Sequence, residues 1–299
     1  MRFCRFAHPL RGPSLGAVGG GPDEVVADLG ALQPECSDPV PWLRRLQREA
    51  RAAADLGERI AAAPAIASLG ELERGLALLP PVAAPEVWAA GVTYERSRDA
   101  RDRETQVGAA GPTPYDRVYV AARPELFLKA TGWRVVGPGR PVGLRSDSRW
   151  QVPEPELALV LDGDGAILGY TLGNDLSARD IEGENPLYLP QAKIFRSSCA
   201  LGPTVRPAAP GAEAPFPLAC TVRRGGVVAW AAETSTAQMR RSFAELTAHL
   251  LRDNWVLPGT VLLTGTGVVP PDDFSLQPGD EIEIASPTLG VLRNVAAPA

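Results

Sequence analysis

The sequence predicts an α+β protein that is rich in β-strands, with a small N-terminal domain before a larger one. Short apolar or alternating runs bounded by Gly and Pro recur through the second part of the chain, which is typical of strands. Residues 41–63 and 236–253 instead repeat apolar residues every three or four positions, as helices do. A proline-rich stretch at 78–87 separates the two parts. We therefore divide the chain into an α+β domain at residues 1–80 and a β-rich domain at residues 81–299.

The elements follow in chain order from these patterns. The runs RFCRFAH and SLGAV predict strands, and the stripe of the first helix consists of Trp42, Leu43, Leu46, Ala50 and Ala53. Later strands are predicted at VWAAGV, LFLKA, ELALVL, AILGYTLG, PLACTV, VLLTG and EIEIAS. The turn DGDG joins ELALVL to AILGYTLG and predicts a hairpin. In the second helix the stripe that we assign to core packing is Met239, Phe243, Leu246 and Leu250.

Composition excludes several classes of function. A net charge of −5 and a pI near 5.3 argue against nucleic-acid binding, which needs a basic face. No apolar run approaches the length of a membrane span, and the first residues lack the apolar core of a signal peptide. The four cysteines are scattered without a CxxC pair, which favours a reduced cytoplasmic compartment over a disulfide scaffold.

The segment VPEPELALVL places two glutamates inside an apolar run. In a strand, Glu154 and Glu156 point to the same face, about 7 Å apart. Two like charges out of water repel each other and are poorly solvated, and a divalent cation would relieve both costs. The alternative is an exposed strand end, and Pro153 and Pro155 favour an edge strand or a bulge.

The hairpin suggests a third carboxylate for this site. Its second strand, AILGYTLGND, ends at Asp175, which an antiparallel return would bring beside Glu154 and Glu156. Three oxygen donors suit Mg²⁺, with Mn²⁺ and Ca²⁺ as alternatives. The two histidines, His8 and His249, lie in no motif, so an ordinary zinc site is not expected.

Several motifs then resemble one family. They are ExE, GYTLGNDLSARD, QAK, CALGP, and LPGTVLLTGTG with LQPGDEIEI, which in this order resemble the fumarylacetoacetate hydrolase superfamily over roughly residues 85–295. The resemblance implies a mixed β-roll, a homodimer or homotetramer, and a divalent metal on Glu154, Glu156 and Asp175. Composition alone would instead make the charged segment after Asp175 a solvated loop of ion pairs.

The resemblance also bears on the reaction. Hydrolytic members carry GLNYxxH and a nearby Glu, a dyad that activates water, whereas here Ser97 and Ala100 stand at those positions. The segments VTYERSR, RPELFLKA and DIEGENPLYLPQAK are similar to the sugar-acid dehydratase branch. That branch implies a hydro-lyase that converts a 2-keto-3-deoxy pentonate, such as the arabinonate, to 2-oxoglutarate semialdehyde.

The same branch implies roles for individual residues. Glu125 and Lys193 match its proton-transfer pair, with Lys193 beside the metal and C3 and Glu125 near the hydroxyl end, in an order that stays open. The alternatives are a loop cap for Glu125 and a plain ion pair for Lys193. Arg179 and Thr266 match substrate-carboxylate contacts, or else a structural ion pair and ordinary turn chemistry.

The segment after the first strand of the larger domain would cover the pocket. The resemblance implies that Tyr94, Glu95, Ser97 and Arg98 form a lid there, with Ser97 and Arg98 as substrate contacts.

Two rival functions remain for the sequence. One is a hydrolase, decarboxylase or tautomerase of another 2-oxo acid of the acylpyruvate type, against which the missing histidine argues. The other is a non-catalytic binding protein, against which the three intact carboxylates argue.

Overall fold

The computed structural model describes residues 1–21, 23–33, 35–75, 77–95, 114–209, 211 and 214–299. The strands are β1 Arg2–His8, β2 Gly12–Val18, β3 Val25–Asp28, β4 Ala65–Ser68, β5 Leu78–Leu79, β6 Glu86–Gly91, β7 Glu125–Thr131, β8 Val135–Val136, β9 Pro141–Leu144, β10 Gln151–Val152, β11 Pro155–Leu161, β12 Ile167–Asp175, β13 Ser177–Ala178, β14 Cys199–Pro207, β15 Pro217–Arg224, β16 Val227–Ser235, β17 Val261–Leu263, β18 Glu281–Ser286 and β19 Gly290–Pro298. The α-helices are α1 Val40–Arg48, α2 Ala52–Ala62, α3 Leu69–Arg74, α4 Pro114–Val120, α5 Arg179–Glu184, α6 Leu189–Lys193 and α7 Phe243–Leu250. The sheet-rich α+β class predicted from the sequence is confirmed.

Two sheets account for most strands. A 12-stranded mixed sheet runs in the order β4-β3-β2-β1-β14-β12-β11-β17-β6-β7, with β5 paired to β1 and β8 to β14. A 5-stranded sheet runs β16-β15-β18-β19-β9, and β10 pairs with β13. Strand β11 therefore lies inside the large sheet, between β12 and β17.

Both faces of β11 are buried, which explains its unbroken apolar sequence. Leu157, Leu159 and Leu161 join a core that includes side chains of β15 and β18 in the smaller sheet. Ala158 and Val160, on the other face, join a core with side chains of α1 and α2. Glu156 shares the second face by alternation, so its carboxylate enters the protein interior.

The prediction of a single long helix near the N-terminus is wrong, because the chain forms two helices there. Glu49 adopts an extended conformation (φ −119°, ψ 117°) and ends α1, and α2 begins three residues later. The break rotates the buried stripe, so that Ala52 and Leu56 are buried while Ala50 and Ala53 are exposed. Burial of apolar side chains thus overrides the local helical periodicity.

The second helical segment is shorter than predicted but packs as predicted. Helix α7 begins after Ser242, whose hydroxyl accepts a hydrogen bond from the Glu245 N–H at 3.1 Å, an N-cap. Met239 precedes the helix in an extended conformation (φ −70°, ψ 136°). The whole stripe nevertheless contacts the core between the sheets, so its assignment to core packing is confirmed.

The division at residue 80 stays a prediction. Strands β1 to β5, which precede it, belong to the same 12-stranded sheet as β6 and β7, and Phe3 of β1 pairs with Val205 of β14.

Among the described residues, no helix combines the length and the apolar character that crossing a bilayer requires.

Candidate functional site

The β11–β12 hairpin brings the three predicted carboxylates together. The Gly165 N–H donates to the Asp162 carbonyl at 2.9 Å, and Gly165 has φ +84°, a left-handed conformation that suits glycine. A one-residue register shift between Val160 and Leu161 follows this turn, and beyond the shift Glu156 pairs with Gly173. The Asp175 N–H donates to the Glu154 carbonyl at 3.0 Å, so Asp175 lies directly across from Glu154.

These carboxylates form one compact, buried cluster. Glu154, Glu156 and Asp175 are 3%, 1% and 1% exposed, and each offers an oxygen within 4.8 Å of the others. The alternative of an exposed strand end is therefore wrong. The prolines also do not mark an edge strand, since Pro153 precedes β11, Pro155 is its first residue, and β11 pairs with both β12 and β17 from Ala158 onward.

Lys193, the last residue of α6, reaches into the cluster. Its Nζ donates to Glu154 Oε2 at 2.7 Å, to Asp175 Oδ2 at 3.1 Å and to Ser177 Oγ at 2.6 Å. The side chain is 1% exposed, so water does not screen these bonds. Lys193 is thus fixed beside two of the three carboxylates.

Two further cations neutralise the cluster. Lys129 Nζ lies 2.7 Å from Asp175 Oδ1 and also donates to the main-chain carbonyls of Leu176 and Lys193. Arg179 Nη2 lies 2.7 Å from Glu154 Oε1. Both cations are buried, so the three carboxylates face three positive charges in a dry environment, where unpaired charges would be costly.

Glu156 has the weakest compensation in this cluster. The Gly265 N–H donates to its Oε2 at 2.5 Å. Burial raises the pKa of Glu156 well above the usual glutamate range, and the negative charges of Asp175 and Glu154 raise it further. A divalent cation between the carboxylates would remove this cost. The all-oxygen donor set fits Mg²⁺ or another hard cation, and Glu154, Glu156 and Asp175 are the residues that could hold it.

Thr266 follows Gly265 in the turn after β17. Its hydroxyl donates to the Val268 carbonyl at 3.1 Å and accepts from the Val268 N–H at 3.2 Å. The turn is therefore ordered by local bonds and attached to the cluster through Gly265. Contact between Thr266 and a substrate carboxylate stays a prediction.

Glu125 begins β7, near the cluster but outside it. Glu125 and Phe127 share one face of the strand, and the Phe127 ring lies 5.5 Å from Lys193 Nζ. Across the ladder, Gly91 of β6 pairs with Glu125, and a Cβ at Gly91 would lie 1.9 Å from Glu125 Oε2. The absent side chain at Gly91 thus leaves space for the carboxylate.

The predicted lid lies largely outside the described residues. Ser97, Arg98 and Ala100 are not described, so their assigned roles stay predictions. Tyr94 is described and 2% exposed, and its ring packs against Gly267. Burial raises the pKa of Tyr94, and the charge of Glu156 raises it further, so the phenol lies in the field of the carboxylate cluster.

Two polar residues that support the cluster are absent from the sequence-based assignment. Ser177 accepts from Lys193 and donates to the Asp175 carbonyl at 2.9 Å. Asn174 Oδ1 accepts from the Glu154 N–H at 3.1 Å. Alternation along the chain could have identified Ser177, two residues after Asp175, whereas the Asn174 contact depends on the hairpin register.

Comparison with known proteins adds independent findings. A family model described as Fumarylacetoacetate (FAA) hydrolase C-terminal matches residues 87–296. The 2-dehydro-3-deoxy-D-arabinonate dehydratase of Saccharolobus solfataricus is 45% identical over 214 residues, which cover 71% of this chain and 72% of that relative. The probable 2-keto-3-deoxyxylonate dehydratase of Haloferax volcanii is 47% identical over 215 residues, which cover 72% and 73% respectively.

A solved structure is similar over the whole chain. It is described as 2-keto-3-deoxy-D-arabinonate dehydratase complexed with magnesium and 2,5-dioxopentanoate. The TM-score is 0.83 and the identity 32%, over 100% of this chain and 99% of that one. Similarity therefore extends through the N-terminal strands, beyond the residues that the family model matches.

Proposed function

Because this chain belongs to the fumarylacetoacetate hydrolase family, we propose that it is a magnesium-dependent dehydratase of a 2-keto-3-deoxy pentonate. The product is 2-oxoglutarate semialdehyde, also called 2,5-dioxopentanoate. The observation that carries this proposal is the buried carboxylate cluster with Lys193 bonded to two of its members, in a chain 45% and 47% identical to two sugar-acid dehydratases.

The charge balance of the site favours an anionic substrate. Lys129, Arg179 and Lys193 equal the three carboxylates in number, and their described ion pairs are with Glu154 and Asp175. A divalent cation on Glu154, Glu156 and Asp175 would leave the site net positive and would supply Lewis-acid polarisation of a 2-keto acid. Arg179 orients Glu154, and with the Thr266 turn we assign it to the carboxylate end of the substrate. We assign Ser97 and Arg98 to the polyol end.

Dehydration requires two proton transfers at neighbouring carbons. One proton leaves C3, and the C4 hydroxyl departs as water after protonation, which leaves a C3=C4 double bond. A proton then leaves C5 and another returns to C3, and the resulting C4=C5 enol gains a proton at C4 and loses its hydroxyl proton to give the aldehyde. Lys193 Nζ lies inside the carboxylate cluster, so we assign it to the C3 proton. Glu125 lies farther out on the same side of β7 as Phe127, so we assign it to the C4 hydroxyl.

The contacts of the two histidines argue against water activation by an imidazole. His8 Nδ1 accepts from the main-chain N–H groups of Leu10 and Arg11 in the β1–β2 turn. His249 lies in α7, whose side chains pack between the two sheets. Among the described contacts, neither imidazole touches Glu154, Glu156 or Asp175, which disfavours the acylpyruvate hydrolase alternative.

A substrate panel tests the proposed function. Protein with Mg²⁺ is incubated with both C4 epimers of 2-keto-3-deoxy pentonate, with an acylpyruvate and with oxaloacetate, and aldehyde formation is followed by hydrazone derivatisation. We expect magnesium-dependent formation of the semialdehyde from at least one pentonate. Faster turnover of the acylpyruvate or of oxaloacetate would overturn the assignment.

Gly91 gives a prediction specific to Glu125. Gly91→Ala should displace the Glu125 carboxylate, since the new Cβ would lie 1.9 Å from its present Oε2. We expect kcat to fall by about 10²-fold, the effect of a misplaced catalytic group, with magnesium affinity unchanged. Gly57→Ala in α2 is the matched control, because a Cβ there meets nothing within 4 Å. Wild-type kcat in Gly91→Ala would show that the position of Glu125 is not critical.

We also infer a homodimer or homotetramer in the cytoplasm. Large apolar side chains are exposed on the described surface, among them Trp133 (77%), Trp255 (96%) and Leu187 (82%), and such side chains often mark contact surfaces. All four cysteines are free, as a reduced compartment requires. Sedimentation velocity tests the oligomeric state, and a monomer at micromolar concentration would contradict the inferred homodimer or homotetramer.

Imaging of a tagged chain in its host cell tests the cytoplasmic location, and export from the cytoplasm would contradict it.

A further inference from the structure

The short segment Met239–Arg241, which precedes α7, contacts the chain on both sides of the β6–β7 connection. On the side that follows β6, Met239 forms a β-bridge with Tyr94, and the Arg240 N–H donates to the Thr93 carbonyl at 2.9 Å. On the side that precedes β7, the Arg240 guanidinium lies 4.9 Å from the centre of the Tyr119 ring. One segment thus contacts the start and the end of this connection.

Arg241 makes the most extensive of these contacts. Its Nη2 donates to the Val118 carbonyl at 3.0 Å and to the Ala121 carbonyl at 2.6 Å, at the C-terminal end of α4. Its Nη1 pairs with Glu245 in the first turn of α7. The last carbonyls of a helix lack partners within the helix, and a cation there is favourable. Arg241 is 7% exposed, so these bonds are largely shielded from water.

The chain that Arg241 fixes leads directly into the proposed active site. Only three residues separate Ala121 from Glu125, and Pro124 is one of them. Around Glu125 the structure has a cavity of about 370 Å³, lined by Val118, Arg123, Pro124, Glu125, Leu126, Pro186 and Leu189. Leu189 is the first residue of α6, and Lys193 is its last. The cavity therefore lies between Glu125 and the helix that carries Lys193.

We propose that Arg241 is a positioning residue for Glu125, acting through the end of α4. It touches neither the carboxylate cluster nor Lys193 in any described contact, and it bonds only main-chain carbonyls and Glu245. Its loss leaves the cluster and Lys193 in place and releases the chain that carries Glu125. The proposal rests on the proposed function for the role of Glu125, whereas the effect of Arg241 on residues 117–126 is independent of it.

The test compares Arg241→Met with Arg241→Lys. Methionine keeps much of the aliphatic stem without a donor, and lysine keeps the charge but cannot present the same planar pair of donors. Glu245→Gln is the matched control, because it removes the ion pair and leaves both carbonyl bonds. Arg252→Met controls for charge loss at an exposed site. Each variant is assayed for kcat, KM, magnesium affinity, and deuterium exchange at C3 of the substrate.

For Arg241→Met we expect kcat for water elimination to fall by about 10²-fold, the cost of a misplaced catalytic group. C3 exchange and magnesium affinity should stay near wild type, and Arg241→Lys should lie in between. Loss of exchange and elimination in parallel would mean general damage to the site and would overturn the proposal. Wild-type elimination in Arg241→Met would also overturn it.

A second readout needs no substrate. Amide hydrogen–deuterium exchange should accelerate in a peptide spanning residues 117–126 of Arg241→Met and stay unchanged in the β11–β12 hairpin. Unchanged exchange in 117–126 would overturn the proposal whatever the enzyme assays show. If wild-type protein forms no semialdehyde, the proposed function fails, and this measurement still decides whether Arg241 fixes the chain before Glu125.

Discussion

Replacement of Lys193 by Met is expected to stop turnover while the carboxylate cluster keeps its metal. Lys193 Nζ lies 2.7 Å from Glu154 and 3.1 Å from Asp175, and in the proposed mechanism it acts on the proton at C3. Loss of a general acid or base typically lowers the rate by about 10²–10⁴-fold, and we expect kcat to fall within that range. Magnesium affinity should not decrease, because the substitution removes a positive charge from the cluster. Calorimetry with Mg²⁺ measures this affinity.

Glu125→Gln is the matched variant that separates the two proton transfers. Glutamine keeps the size of the side chain and its place over Gly91 but cannot move a proton. If Lys193 is the C3 base, Lys193→Met loses deuterium exchange at C3, whereas Glu125→Gln still exchanges without eliminating water. The reverse pattern would exchange the two roles. Near-normal turnover in both variants would exclude the pair from the reaction.

Metal removal is the second change for which we expect a large effect. EDTA should abolish semialdehyde formation, and Mg²⁺ or Mn²⁺ should restore it. Glu156→Gln replaces a charged ligand by a neutral one of the same shape, which can still accept the Gly265 N–H. We expect magnesium affinity to fall by more than about 100-fold, the upper end of what loss of an outer-sphere partner causes.

Thermal unfolding with and without Mg²⁺ provides the measurement. A ligand that binds only the folded protein raises the midpoint temperature of unfolding. Mg²⁺ should therefore raise the midpoint of the wild-type protein and leave that of Glu156→Gln unchanged. Glu58→Gln, on the exposed side of α2, is the control and should shift like wild type. Full activity in protein freed of metal would contradict the proposed magnesium dependence.

The sequence by itself determined nine of the 19 described strands, including β7, β11, β12 and β17 beside the site, and the meeting of the three carboxylates. This was predictable because the hairpin is local. A turn at Asp162–Gly165 closes the hairpin, and a one-residue register shift between Val160 and Leu161 then places Asp175 opposite Glu154. The motifs also identified Lys193, which the structure places on two of the carboxylates.

Tertiary structure alone decided what surrounds that cluster. The break between α1 and α2, the space over Gly91 and the bonds of Arg241 to α4 carry no local signal in the sequence. Arg241 lies 120 residues from Ala121, and the two meet only because the chain returns from the second sheet to the end of the β6–β7 connection. Local patterns fix which face of an element is apolar, whereas contacts between distant elements depend on how those faces are buried together. That burial is a property of the whole fold, which explains why the carboxylates could be predicted whereas the role of Arg241 and the space at Gly91 could not.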